Sequence, residues 1–170
     1  IPRSQAKVIN LGLFYGMGKA KLQAELGVSK DKAEELFSIY HERVPFVKSL
    51  TKSVSNRAQQ RGQIRTLLGR LCRFHLWEPN QFGIHKALPF DQARQEYGAG
   101  IKRAYTYKAL NKLIQGSAAD MTKKSMLELY KEGIVAHIQV HDELDISVED
   151  DKKAKHIKEI MESAVDLEIP

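Results

Sequence analysis

Apolar residues recur at helical spacing near the start of the chain. Ile9, Leu13 and Phe14, with Val8 and Leu11 beside them, predict a helix from about Pro2, which suits a first turn, to the break at Gly16 and Gly18. A short helix through Leu22 and Leu26 should end at Gly27. Ser29 is then the expected N-cap of a helix over residues 30–43, with Ala33, Leu36, Phe37 and Tyr40 as its buried stripe and Pro45 as its interruption. Another helix is predicted from about residue 45 to 60. The segment GQIRTLLGRLCRF reads as a β-hairpin or extended pair turning near Gly69. Residues 75–98, with Pro79, Gly83 and Pro89, predict loops and one short helix at most. A long helix is expected over about 99–131 despite Gly116. IVAHIQV and LDISV flank HDE and predict a two-stranded hairpin, and the tail DDKKAKHIKEIMESAV is amphipathic, with Ile157, Ile160, Met161, Ala164 and Val165 on one side. Many helices around a small antiparallel hairpin place the fold in the α+β class. No internal repeat or low-complexity segment interrupts the pattern.

Composition narrows the picture modestly. At 170 residues and 42% hydrophobic, the chain can bury one sizeable core, or one core plus a helical extension. Lysine and arginine total 27 against 21 acidic residues, and the excess is concentrated. From Lys48 to Lys86 the chain carries Lys52, Arg57, Arg61, Arg65, Arg70 and Arg73, opposed only by Glu78. This stretch suits a polyanion, and a solvated basic face accounts for it equally well. The single Cys72 excludes an intrachain disulfide, and no Cys/His spacing resembles a zinc site, so an intracellular, reducing compartment is expected. No apolar run approaches the roughly 20 residues of a membrane span, and IPRSQAK is not a secretory leader. The chain begins without methionine where a helix is already under way, and is expected to be a fragment of something longer.

Three constellations could carry chemistry. Arg3, Lys7, Leu11 and Tyr15 recur every four residues and form one drifting helical stripe. Two cations near a helix N-terminus suit a polyphosphate, and Leu11 and Tyr15 could pack on a sugar or base. The alternative is a surface helix with Leu11 and Tyr15 in the core. Gly12 and Gly16, which weaken a helix, would let another surface approach closely. In VHDE, Asp142 and Glu143 occupy a tight turn where hard divalent cations can reach carboxylates; solvated acids are the alternative. His141 could be a ligand, a phosphate contact or a structural histidine. Asn111 and Gln115 lie one helical turn apart. Amides so placed can test base-pair shape through minor-groove acceptors common to every pair, or can serve a cap or a buried polar network.

Taken together, these segments resemble the family A DNA polymerases, the group related to bacterial DNA polymerase I. RSQAKVINLGLFYG is similar to that family's fingers-helix motif and IQVHDEL to its palm motif. TLLGR at 66–70 and NKLIQGSAAD at 111–120 also match, in the family's order. The resemblance implies a mainly helical fingers region, about residues 1–98, beside a partial palm, 99–170, whose small antiparallel sheet carries the VHDE hairpin. It implies that Arg3 and Lys7 hold the triphosphate of a deoxynucleoside triphosphate, with Lys7 also assisting catalysis. Leu11 would meet the sugar, and Tyr15 with Gly16 the nascent base pair. Asn111 and Gln115 would face the minor groove of primer-template DNA, and His141 the primer end. Asp142 would bind the catalytic metals, two Mg²⁺ ions in the complete polymerase, with Glu143 assisting. Arg65 and Arg70 would contact the nucleic-acid backbone.

The chain also departs from the family's pattern. Leu11 stands where Phe or Tyr is usual, and Tyr107 and Lys108 where many members carry an Arg one turn before the Asn. The family's first metal-binding Asp, its thumb and any exonuclease motif are not among these residues. The expectation is therefore a polymerase fragment that binds better than it reacts, completed by an N-terminal polymerase portion in the same or another chain. A non-catalytic nucleic-acid-binding module on the same scaffold is the alternative, and a metal-dependent phosphodiesterase using HDE a further one.

Overall fold

The computed structural model describes residues 2–81, 83 and 85–168 and is an α+β chain. Four helices come first, and their ends are set by local chemistry. Helix α1 spans Arg3–Phe14; Pro2 is its N-cap and supplies no side-chain cap. Helix α2 (Lys19–Leu26) stops at Gly27, which is left-handed at φ 62°. In α3 (Lys30–Arg43) the Ser29 hydroxyl accepts from the Lys32 N–H at 3.2 Å, and Asp31 complements the positive end of the helix dipole. Helix α4 (Pro45–Arg61) begins on proline, whose missing N–H costs nothing in a first turn, and ends at Gly62. The expected stripe of α3 holds: Ala33 is buried and Leu36, Phe37 and Tyr40 are half-buried.

Strands β1 (Gln63–Arg65) and β2 (Leu71–Arg73) then pair around the expected turn, with Gly69 at φ 87°, a value that only glycine adopts freely. The following region corrects the sequence expectation. Residues 75–98 contain two strands, β3 (Leu76–Pro79) and β4 (Leu88–Pro89), before helix α5 (Phe90–Tyr97). The long helix begins ten residues late, because β5 (Ile101–Arg103) and a 3₁₀ turn (Thr106–Lys108) precede α6 (Ala109–Lys131). Strand β3 is central in a sheet ordered β4-β3-β5, antiparallel on both sides, with Leu76 opposite Pro89 and Glu78 opposite Lys102. Arg103 anchors this sheet. Its guanidinium lies 4.5 Å from the Trp77 ring and donates to the carbonyls of Gln59 at 3.2 Å and Phe74 at 3.0 Å. Tyr105, at φ 61°, breaks the backbone before a helix can form.

Strands β6 (Ile138–Val140) and β7 (Glu143–Asp145) form the expected antiparallel hairpin. The closing helix α7 (Asp151–Ser163) is capped by Asp150, whose carboxylate accepts from the Lys153 N–H at 2.7 Å, and it buries Ile157.

The chain divides into two compact units, one of residues 1–64 with 71–112, the other of 65–70 with 113–170. This division by compactness is distinct from the functional boundary expected at residue 98. The first unit closes a core on Leu13, Leu22, Val47, Ala58, Phe74 and Leu110. The second buries Leu129 and Ile157 and leaves Val135, Ile138 and Val140 at least half exposed.

Candidate functional site

The first unit carries the α1 stripe. Leu13 is the residue of α1 that enters the core, at 1% exposure, whereas Leu11 is 48% exposed. The alternative that placed Leu11 in the core is therefore corrected: the helix turns Leu13 inward and leaves Arg3, Lys7 and Leu11 on the outside. Neither Arg3 nor Lys7 meets a carboxylate among the described residues. No acidic residue occupies the first turn of α1 and no side chain caps it, so its N-terminal N–H groups face no competing anion from a cap. Tyr15 is the C-cap, half-buried, with its ring edge-on to Phe14 at 5.3 Å. The helix closes as Met17 N–H donates to the Gly12 carbonyl at 2.8 Å and Gly16 N–H to the Leu13 carbonyl at 3.1 Å. The Met17 thioether folds over Gly12, so the space read as open to another surface is filled by the chain itself; Gly16 does border open space.

Helix α6 carries both amides. Gln115 is exposed. Asn111 is half-buried, and its Oδ1 is buried without a hydrogen-bond partner among the described residues. Ahead of it, Lys108 lies over the rings of Tyr105 and Tyr107, at 5.2 and 5.5 Å.

The second unit carries HDE. Val140 pairs with Glu143, so His141 and Asp142 form a two-residue turn. His141 sits at φ 53°, a conformation that side chains with a Cβ adopt at a cost. Gln139, which sequence reasoning did not single out, holds the turn: its Nε2 donates to the His141 carbonyl at 2.6 Å. His141, Asp142 and Glu143 are all exposed. The carboxylates of Asp142 in the turn and Glu143 at the start of β7 offer hard oxygens, which suit a divalent cation. Among the described residues, however, no three His, Cys, Asp or Glu side chains converge into a group that could hold one.

Arg65 and Arg70 occupy the other turn of that unit. Arg65 donates to the Gly69 carbonyl at 2.9 Å and is exposed. Arg70 is exposed, its side chain half-accessible, and its Nε donates to Asp120 Oδ1 at 2.6 Å and its Nη2 to the Gly116 carbonyl at 2.9 Å. Asp120 is buried at 6% exposure and was not anticipated; the only sequence signal for it was its place within the matched segment ending SAAD. Burial pushes the Asp120 carboxyl up, but the Thr66 hydroxyl, the Arg70 guanidinium and the Lys123 charge outweigh it and hold the group below the usual carboxylate range. Of the basic stretch, Lys48, Lys52, Arg57, Arg61, Arg73 and Lys86 are exposed and meet no carboxylate among the described residues.

The profile of DNA polymerase family A matches residues 2–170. The chain belongs to this family. The chain is similar to a DNA-directed DNA polymerase of Pseudomonas phage M6, 32% identical over 204 residues, covering 100% of this chain and 28% of the phage protein. A thermostable DNA polymerase I of Thermus filiformis is 31% identical, covering 99% of this chain and 19% of that protein. The fold is also similar to the POL domain of Pol1 from M. smegmatis, solved in complex with DNA primer-template and dNTP, with a TM-score of 0.73 and 28% identity over 99% of this chain and 28% of that one. The chain thus spans under a third of the length of each of these proteins. No helix among the described residues is long and apolar enough to cross a membrane.

Proposed function

We propose that this chain is the fingers and C-terminal palm portion of a template-directed DNA polymerase, which joins a primer 3′-OH to the α-phosphorus of a deoxynucleoside triphosphate and releases pyrophosphate. The carrying observation is the outward stripe of α1, with two cations that meet no acidic partner among the described residues, a helix start without a side-chain cap, and Leu11 exposed where a core residue would be buried. Arg3 and Lys7 bind the triphosphate, and the Lys7 ammonium counters the charge that grows on the leaving pyrophosphate. Leu11 lies against the sugar, an aliphatic surface rather than a ring. Tyr15 and Gly16 close on the nascent base pair. Asn111 and Gln115 follow the minor groove of primer-template DNA, where amide N–H groups donate to the purine N3 and pyrimidine O2 acceptors. His141 stands by the primer end, Asp142 supplies one carboxylate to the metal site, and Glu143 supports it. Two Mg²⁺ ions, when bound, supply charge that stabilises the attacking and leaving oxygens.

The solved complex of the M. smegmatis relative with primer-template and dNTP supports these partners. The remaining polymerase portion, in the same or another chain, supplies the other metal-binding carboxylate, and the chain alone binds substrates without extending a primer. That no three His, Cys, Asp or Glu side chains are grouped to hold a metal among the described residues supports that division of labour.

The test is Lys7→Ala in the complete polymerase, read by single-turnover incorporation across nucleotide concentrations beside a duplex-binding titration. The incorporation rate should fall by about tenfold or more, since an electrostatic contact to developing charge contributes a few kcal/mol, with duplex affinity unchanged. Lost duplex binding with unchanged saturated incorporation would move Lys7 to the nucleic-acid backbone.

A further inference from the structure

The segment from Thr66 to Arg70 grips one turn of α6. The Leu67 N–H donates to Ser117 Oγ at 2.9 Å, and that hydroxyl in turn donates to the Leu113 carbonyl at 2.7 Å. Arg70 spans the same turn, from the Gly116 carbonyl to Asp120. The grip is close because residue 116 has no side chain: a Cβ there would stand 2.9 Å from Thr66 Cγ2 and 3.4 Å from Arg70 Nη2. The segment is itself stiff. Thr66 N–H donates to the Arg70 carbonyl at 3.0 Å, Gly69 N–H to the Thr66 carbonyl at 3.0 Å, and Arg70 N–H to Thr66 Oγ1 at 3.0 Å. A rigid loop bonded to residues 116, 117 and 120 fixes both the rotation and the axial position of α6 there. Gln115, exposed and adjacent to Gly116, is carried by that turn.

We infer that the Thr66–Arg70 loop is a clip that sets the presentation of Gln115, with Arg70 and Asp120 as positioning residues for base-pair testing rather than as contacts to DNA. The inference rests on the proposed minor-groove role of Gln115. A planar guanidinium is required, because one fork must reach a carbonyl and a carboxylate in fixed directions and a lysine ammonium cannot span both. Gly116 is required for contact, not for helix formation, which alanine would favour.

The experiment compares extension from matched and mismatched primer ends by the complete polymerase at saturating nucleotide. Arg70→Ala should slow matched extension by about tenfold, as small misplacements of a positioning group do, and shrink the ratio of matched to mismatched rates. Arg70→Lys should not restore it. Combining Arg70→Ala with Gln115→Ala should be no worse than Gln115→Ala alone, the non-additivity expected of residues acting through one another. Gly116→Ala keeps every charge and should reproduce the Arg70→Ala ratio; adding Thr66→Ser, which removes the clashing Cγ2 and keeps the hydroxyl, should restore it. Multiplying effects in the double variant, an unchanged ratio in Gly116→Ala, or a duplex affinity lowered in proportion to rate would overturn the clip. An unchanged ratio in Gln115→Ala itself would overturn the minor-groove role, and the clip with it, whereas a changed ratio there and none in Arg70→Ala would overturn the clip alone.

Discussion

The turn at Thr66–Arg70 and the turn at His141–Asp142 both join paired strands, and they distribute their hydrogen-bonding groups in opposite ways. In the first, glycine occupies the left-handed position, the backbone closes on Thr66, and Arg70 is committed to Asp120 and Gly116. In the second, a histidine takes the left-handed position, one side-chain hydrogen bond from Gln139 holds the backbone, and both turn residues point their polar atoms to solvent. The first turn spends its polar groups on structure. The second withholds them and accepts backbone strain, as functional sites do. Charge alone would have ranked them the other way, since an exposed Arg in a basic stretch suggests nucleic acid and adjacent acids in a loop suggest mere solvation.

The largest expected effect separates the two turns by activity. Asp142→Ala in the complete polymerase should lower single-turnover incorporation by about a thousandfold or more, because metal-site charge contributes several kcal/mol in the transition state. Duplex affinity and stability should scarcely change. Normal extension by that variant would erase the contrast.

Arg70→Ala should act on stability as well as slowing extension by the roughly tenfold expected of a positioning residue. It leaves the buried Asp120 carboxylate without its guanidinium, which costs about 2 kcal/mol in urea unfolding followed by a probe in the second unit. A loss within error would show the first turn to be as dispensable to the fold as the second.

A smaller effect follows pH. Asp120 is held below its ordinary value in the folded chain, so its contribution is fully present above the unfolded carboxyl's pKa of about 3.9 and disappears as pH falls through the lower folded value. Acid unfolding of the second unit should therefore steepen below that pH, and Asp120→Asn should flatten it. An unchanged acid limb in Asp120→Asn would place the pH dependence elsewhere.

Sequence made local features legible. The Ser29 cap, the helix end at Gly27, the turn at Gly69 and the start of α4 at Pro45 each depend on residues a few positions apart. Strands β3, β4 and β5 were missed because their pairing is set at a distance: Trp77 meets Leu88 and Arg103, and neither partner can be read from the short stretches around them. The long helix was started too early because nothing in the apolar spacing of 99–108 reveals the left-handed Tyr105. The same distinction holds within the candidate site. Four-residue spacing located the α1 stripe, and adjacency located Asp142 and Glu143. The Arg70–Asp120 pair joins residues fifty positions apart, and Arg70 accordingly looked like a free cation.

The claim that the His141–Asp142 turn retains strain for chemistry is tested most directly by His141→Gly, with urea stability and single-turnover incorporation measured on the same protein. Glycine relieves the left-handed backbone, so stability should rise by up to about 1 kcal/mol while incorporation falls. A variant that loses stability, or that gains it with incorporation unchanged, would contradict the account.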